Sequence, residues 1–303
     1  MFDRRARVPD TTALDYLPIA KLLWASPRAT VGDVLACKGP AYDRFLQPLL
    51  LAALNIDPRF GSAKLAANVL RETISQGGRA CHPLIAHGLS DAFVEPAINF
   101  IRQRGGAVQL GHRLRAIGFE GDRAVSLDFG EDGITLDADD AVVLAVPPTV
   151  ATSLVPGVTA PDEFCGIVNA HFAFQHPSQT PAMIGAINAT VEWLFVFPDR
   201  LSVTISGANH LMDTDRDGLA QKIWYDVTRM LNISAPLPRW QIVRERRATF
   251  AATPAQDAMR PKTETSWSNL ALAGDWTATG LPATIEGALR SGVRAAQLVG
   301  QRP

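Results

Sequence analysis

From Leu270 the chain reads Leu270-Ala271-Leu272-Ala273, then Gly274, Asp275 and Trp276, and after a Thr- and Pro-containing stretch Thr284, Ile285 and Glu286. The alternating Leu and Ala fit a strand buried on both faces. Gly274 lets the backbone approach a bound group closely, and Asp275 offers a carboxylate to sugar-like hydroxyls. Thr284 is a candidate N-cap for a helix over 285–299, where isolated glycines are the only helix breakers. The free N–H groups and positive dipole end of such a helix favour negative charge on a ligand. In a reduced flavin that charge sits along the N1–C2=O edge, so a helix start aimed there would stabilise the anionic hydroquinone. Gly287, Ser291 and Ala295 recur at helical spacing and leave room for a cofactor or a strand. A strand, a glycine turn and a small-residue helix also occur in α/β proteins with no ligand, and spacing alone leaves both readings open.

Other residues offer less. His82 and His87 bracket Pro83-Leu84-Ile85-Ala86 and read as loop or packing residues, because their spacing across a proline is not that of a helical metal pair. No metal site is expected. His171 reads as a hydrogen-bonded strand residue. Arg244-Glu245-Arg246-Arg247 reads as a solvated strand edge, with an arginine facing an anionic ring as the alternative. Trp193, Phe195 and Phe197 alternate along one strand, as a packed face, as one wall of an apolar tunnel, or as both. Asp57, Asp91, His82 and Glu286 are equivalent candidates for a proton donor. No G-x-S-x-G elbow is present, so hydrolase chemistry has no support.

The run Leu272-Ala-Gly-Asp-Trp-Thr-Ala-Thr-Gly-Leu-Pro-Ala-Thr-Ile-Glu-Gly-Ala288 resembles the C-terminal flavin-binding signature of the amine oxidase and phytoene desaturase superfamily. Within that superfamily it is most similar to the hydroxysqualene dehydroxylase family, the squalene-associated FAD-dependent desaturases. Asn55 in Leu51-Ala-Ala-Leu-Asn55, Val142-Val-Leu-Ala-Val-Pro-Pro148, Ile167-Val-Asn-Ala-His171 and Val243 to Gln256 extend the likeness along nearly the whole chain. The resemblance implies an FAD-dependent oxidoreductase that removes the hydroxyl of hydroxysqualene to give squalene for hopanoid biosynthesis. A flavin enzyme running in the oxidative direction, or a catalytically silent fragment, is the alternative.

The same resemblance implies a cofactor site. Gly274 and Asp275, with Trp276 beside them, would lie along the ribityl and pyrophosphate portion of FAD. Thr284 and Ile285 would stand near the pyrimidine edge of the isoalloxazine, with Glu286 in the following turn. Leu114, after Gly105-Gly106, matches the position that holds the adenine through its backbone, and Ala145 with Val146 ends a neighbouring strand. Amine oxidases place an aromatic residue at the position of Thr284, so amine oxidation is disfavoured. Cys37, Cys81 and Cys165 all lie far upstream of the signature, so the FAD is expected to be non-covalent.

Dinucleotide-binding folds open with a strand, a G-x-G-x-x-G turn and a helix, yet no G-x-G occurs in these residues. The sequence therefore leads us to expect a chain lacking an N-terminal βαβ unit of roughly a hundred residues, one that binds FAD poorly by itself.

Positioning these residues requires a sizeable fold. With 303 residues and 47% hydrophobic content, the chain can bury a substantial core in two lobes. Twenty-nine basic and 30 acidic side chains nearly cancel, which disfavours nucleic acid as a partner. Three cysteines without paired spacing suit a reducing cytoplasm. No signal peptide or spanning segment is evident, so any membrane contact is expected to be peripheral.

The fold class expected is α/β with α+β character, a partial FAD-binding Rossmann-like lobe beside a substrate lobe of mixed sheet and helices. Residues 1–87 are assigned to the helical part of the substrate lobe, 88–150 to the FAD lobe, 151–250 to the substrate-lobe sheet and 251–303 to the C-terminal part of the FAD lobe. Helices are expected at Tyr16–Trp24, Tyr42–Leu54, Ala63–Ile74, Asp91–Arg104 capped by Ser90, and Asp215–Leu231. Short strands at 108–110, 114–119, 124–129 and 134–136 read as a meander, with turns at Gly121-Asp122 and Asp132-Gly133. Further strands are expected at 141–146, 167–174, 192–197, 201–206 and 242–246.

Overall fold

The computed structural model describes residues 7–81, 85–86, 88–176 and 179–301. The candidates His82 and His87 lie outside the described residues.

The chain begins with a helical segment whose winding is set by its prolines. Ala13–Trp24 coils as a 3₁₀ helix around Pro18, which has no N–H for an α-helical bond and whose ring crowds the carbonyl of the preceding turn. A short helix α1 (Val31–Val34) follows, capped by Thr30 and Asp33 in a reciprocal box. A π-turn at Tyr42–Leu46 leads into α2 (Gln47–Leu54), and α3 (Ala63–Glu72) completes the segment. The same device recurs at Ser90–Val94 before α4 (Glu95–Gln103). In both cases a proline, Pro48 or Pro96, stands at the second α position, and widening the preceding turn relieves its clash with the carbonyl four residues back. Ser90 is accordingly not a cap, as the sequence suggested; it lies inside the π-turn and makes no capping bond.

Three antiparallel strands form the meander: β1 (Ala116–Glu120), β2 (Arg123–Asp128) and β3 (Gly133–Thr135). The strand expected at 108–110 does not form; Leu110 projects into solvent, and no neighbouring strand offers a ladder. Next come β4 (Val142–Leu144) and α5 (Pro148–Leu154). The second sheet follows, with β5 (Phe164–Phe172), β6 (Met183–Gly185), β7 (Trp193–Phe197), β8 (Arg200–Ile205) and, after α6 (Arg216–Leu231), β9 (Trp240–Phe250). Its order is β6-β7-β8-β5-β9, and every pairing is antiparallel where a mixed sheet was expected. The helix α7 (Pro254–Ala258), the strand β10 (Leu270–Leu272) and the helix α8 (Ile285–Gly300) close the chain.

Two large cores result. One unites Leu22, Leu46, Leu50 and Leu65 of the helical segment with Ile117 of the meander and with Leu144, Leu270 and Trp276 of the parallel strand pair. The other packs α6, through Leu219, Ile223 and Val227, onto one face of the five-stranded sheet. The buried side chain of Asn55 ties the helical segment to that sheet, whose Phe250 also packs into the first core. Asn55 takes a left-handed conformation (φ 53°) at the C-cap of α2, a role open to Asn because its short amide tolerates that region. Its Nδ2 donates to the Cys165 carbonyl (3.2 Å) and to Thr249 Oγ1 (2.9 Å), while its Oδ1 accepts the Gly207 N–H (2.7 Å).

Replacing Asn55 with Ala strands a buried carbonyl and a backbone amide and puts a Cβ without compensation at positive φ. The expected loss is about 2–4 kcal/mol, measurable as a lowered midpoint in urea denaturation; an unchanged midpoint would show that the staple contributes nothing.

Candidate functional site

β4 and β10 run parallel in register, Leu270 beside Val142 and Leu272 beside Leu144. Both chains therefore leave the sheet at the same end, and the conspicuous residues gather there. Gly274 sits at φ 141°; its N–H donates to Ser291 Oγ (2.8 Å) and its carbonyl accepts the Thr277 hydroxyl (2.9 Å). A Cβ at Gly274 would fall 2.5 Å from the Trp276 indole nitrogen, so glycine is required for close approach as well as for its dihedral. Trp276 is buried, and its indole N–H donates to the Val146 carbonyl (2.9 Å), locking this loop to the segment that leaves β4.

Helix α8 starts as its sequence predicts. Thr284 Oγ1 accepts the Gly287 N–H (3.0 Å), leaving the amides of Ile285 and Glu286 as the outward donors of the first turn. Gly287, Ser291 and Ala295 are the buried residues of the helix, and Ser291 meets Gly274. The small-residue stripe thus serves helix-to-strand packing. The Glu286 carboxylate is engaged by Arg290 (2.7 Å), which also grips Glu72 on α3 (3.1 Å). Asp275 is half-buried, and desolvation raises its carboxyl above the usual range, against the opposing pull of Arg260.

Arg260 was not singled out by sequence. Its guanidinium is fully buried. Nη1 donates to Asp257 Oδ1 (3.0 Å), and Nη2 donates to the Asp275 carbonyl (3.1 Å), to Thr279 Oγ1 (2.9 Å) and to the Thr277 carbonyl. One planar cation therefore organises the whole loop between β10 and α8, and it also lies over the Phe250 ring. Nothing in the local sequence marks it, since an arginine after a short helix is commonplace; only its burial reveals the role.

Leu114 and the end of β4 come together. A groove of about 710 Å³ is bounded by Arg113, Leu114 and Arg115 on one side and by Val146, Pro147 and Val150 on the other. Ala145, one residue earlier, is exposed.

Among the described residues, α6 covers one face of the five-stranded sheet and leaves the other half-buried. Its register lines up Trp193, Thr204, Asn169 and Val243 in one row, with Phe195, Ser202, His171 and Gln241 in the next. Leu194 and Val196, which alternate with the aromatics, are the residues buried under α6. The aromatic side chains are half-buried on the opposite face. His171 Nδ1 lies 3.0 Å from Ser202 Oγ, and burial, then Arg200, lowers its pKa, holding the ring neutral. Arg244 and Arg246 bind the loop at 212–214 through the Thr214 carbonyl and Asp213. Of the proposed acids, Asp57 is paired with Arg59, whose hydrogen bonds hold its carboxyl below the usual range, which makes it a poor donor.

Two expectations follow from the loop. Arg260→Met leaves the buried Asp257 without its main partner and should cost about 3–5 kcal/mol, read by urea denaturation. Asp275 binds its proton more tightly folded than unfolded, so its contribution favours the fold below its unfolded pKa and is lost as pH rises through the raised folded value. Asp275→Asn should therefore stabilise the chain at neutral pH, the gain shrinking on acidification. A pH-independent difference in a denaturation series would refute this linkage.

Residues 3–300 match the family of flavin containing amine oxidoreductases. The chain is 58% identical over 301 residues to a hydroxysqualene dehydroxylase of Rhodopseudomonas palustris, covering 99% of this chain and 72% of that protein. It is 52% identical to the hydroxysqualene dehydroxylase of Sinorhizobium fredii, covering 98% and 72% respectively. Among solved structures, cyclohexylamine oxidase from Brevibacterium oxydans shares the fold, with a TM-score of 0.66 at 13% identity over 97% of this chain and 76% of that one. Sequence and fold agree over almost all of the polypeptide, and the chain belongs to the flavin containing amine oxidoreductase family.

Proposed function

We propose that this chain is an FAD-dependent oxidoreductase that removes the hydroxyl of hydroxysqualene to give squalene, a step of hopanoid biosynthesis. The observation that carries this reading is the 58% identity with a hydroxysqualene dehydroxylase along 99% of the chain. The residues fit a flavin. The first-turn amides of Ile285 and Glu286, at the positive end of a helix spanning Ile285–Gly300, suit the electron-rich pyrimidine edge. Gly274 and Asp275 would serve the ribityl and pyrophosphate portion, and the groove between Leu114 and Val146 the adenosine end. Reduced flavin, when bound, supplies a hydride for the carbon that loses its hydroxyl. Cys165 is buried, Cys37 half-buried and Cys81 exposed, and none of them is among the residues of the proposed cofactor site, which supports non-covalent attachment.

The chain's own part is to orient the substrate and keep its surroundings dry. On the half-buried face, Trp193 and Phe195 offer a long isoprenoid an aromatic edge, and burial of apolar area is the main source of affinity available to such a substrate. Thr284 at the helix cap provides no aromatic wall for an amine. His171, held neutral, accepts a hydrogen bond from a substrate hydroxyl more readily than it protonates one.

Titration with FAD, followed by flavin fluorescence, should show saturable binding; an unchanged signal would count against the proposed cofactor. With excess FAD, a chemical reductant and hydroxysqualene, mass spectrometry should detect squalene. Amine oxidation without any squalene would defeat the substrate assignment. Trp193→Ala and Phe195→Ala should each raise KM roughly tenfold or more, the equivalent of losing an aromatic contact of about 1.5–3 kcal/mol, with a smaller effect on kcat.

A further inference from the structure

Between the 3₁₀ helix Ala13–Trp24 and the loop that precedes the π-turn at Tyr42 lies an apolar pocket of about 240 Å³. Leu35, Tyr42 and Leu46 line it and are buried, Ile19 stands half-buried beside them, and Asp15 and Lys38 are exposed at the rim. The two rim charges are opposite, so the entrance favours neither an anion nor a cation, and a neutral occupant fits best. A dry apolar cavity of roughly 150 Å³ holds benzene, so this one admits a body on the order of ten heavy atoms.

One polar atom among the lining residues is unsatisfied. Tyr42 is 9% exposed, and its hydroxyl has no hydrogen-bond partner of ordinary geometry among the described residues. The Cys37 thiol lies beside it, but sulfur is a weak donor and a weak acceptor. Buried phenols are ordinarily paired, and a stranded one costs the fold stability. Burial, then the thiol, raises the Tyr42 pKa, so the phenol keeps its proton and has it to give. The pocket carries strain as well. Cys37, which also lines it, takes a left-handed conformation (φ 47°) that residues other than Gly, Asn and Asp rarely adopt. The fold thus tolerates two local costs at one pocket, an unpaired hydroxyl and an unfavourable dihedral, where Phe and Gly would avoid both.

We infer that this pocket is a binding site for a neutral, largely hydrocarbon molecule with one oxygen, which accepts a hydrogen bond from the Tyr42 hydroxyl. Naming that molecule an isoprenoid alcohol rests on the function proposed above; the pocket and its unpaired donor do not. The probes are geraniol, a ten-carbon isoprenoid alcohol, and myrcene, a ten-carbon hydrocarbon without the oxygen. Cys37 is half-buried at the pocket, and Cys81 is exposed outside its lining. Alkylation of both by iodoacetamide, mapped by mass spectrometry, therefore reports occupancy against an internal reference. Geraniol should slow modification of Cys37 and leave Cys81 unchanged. Tyr42→Phe should weaken geraniol roughly threefold to tenfold, the worth of one hydrogen bond, and leave the weaker binding of myrcene as it was. Without ligand the same variant should unfold in urea at the wild-type midpoint or above it, because an unpartnered hydroxyl has been removed. No protection of Cys37, equal protection of Cys81, equal protection by the two probes, or a geraniol affinity indifferent to Tyr42→Phe would overturn the inference. A lowered urea midpoint would do the same, by marking the hydroxyl as part of the fold. None of these readouts involves flavin or turnover, so their failure leaves the squalene assay to judge the proposed reaction separately.

Discussion

A buried guanidinium governs the geometry of the candidate site. Arg260 has surrendered its hydration, and an unpaired charge in that position would be prohibitive. Asp257 supplies the counter-charge, and the carbonyls of Asp275 and Thr277 with the Thr279 hydroxyl absorb further donors. Because these acceptors lie on consecutive turns of one loop, satisfying the cation also fixes the path from β10 to α8. Gly274 and Trp276 complete the constraint from the other side, the first through Ser291 on α8 and the second through Val146 beyond β4. The helix start is thus aimed by a network anchored in the core, and a packed anchor sets direction better than a mobile loop. Loop, helix and strand pair stand or fall together.

The same logic explains why Asp275 is tolerated. Half-buried, it suffers desolvation, and the nearby guanidinium offsets only part of the cost. An amide of the same shape would avoid the desolvation penalty. Asn55 shows the opposite economy. Its polar atoms are buried too, yet Cys165, Thr249 and Gly207 satisfy them, and its role is to hold two separately packed cores in a defined relation.

The strand, glycine and capped helix at the C-terminal end were legible because they rest on local rules: an apolar run, a position intolerant of a Cβ, and a threonine cap. The meander turns and the span of α6 were legible for the same reason. Elements that depend on partners were not. The run at 108–110 has strand-like residues but no neighbour to pair with, and β6, α5 and α7 are too short to show a period. Ser90 looked like a cap because the widening of a turn before Pro96 is invisible to a rule about cap residues. Arg260 escaped notice because its significance lies in burial and in acceptors 15 to 19 residues away, the carbonyls of Asp275 and Thr277 and the Thr279 hydroxyl. The aromatic row at Trp193, Phe195 and Phe197 showed its alternation in the sequence, but which face the sheet would leave uncovered depended on where α6 packs.

Winding, in the helical segment, decides what the surface offers. The residues of Ala13–Trp24 have no sustained α-helical periodicity, and Pro18 removes the bond that would enforce one. With three residues per turn, the segment keeps one apolar edge in the core and leaves a second facing outward. An α-helix of the same composition would mix those edges and blur both. A proline that looks like a defect in a helix is therefore the residue that separates an inward seam from an outward strip. The pocket behind it opens where the two meet, at Leu14 and Ile19.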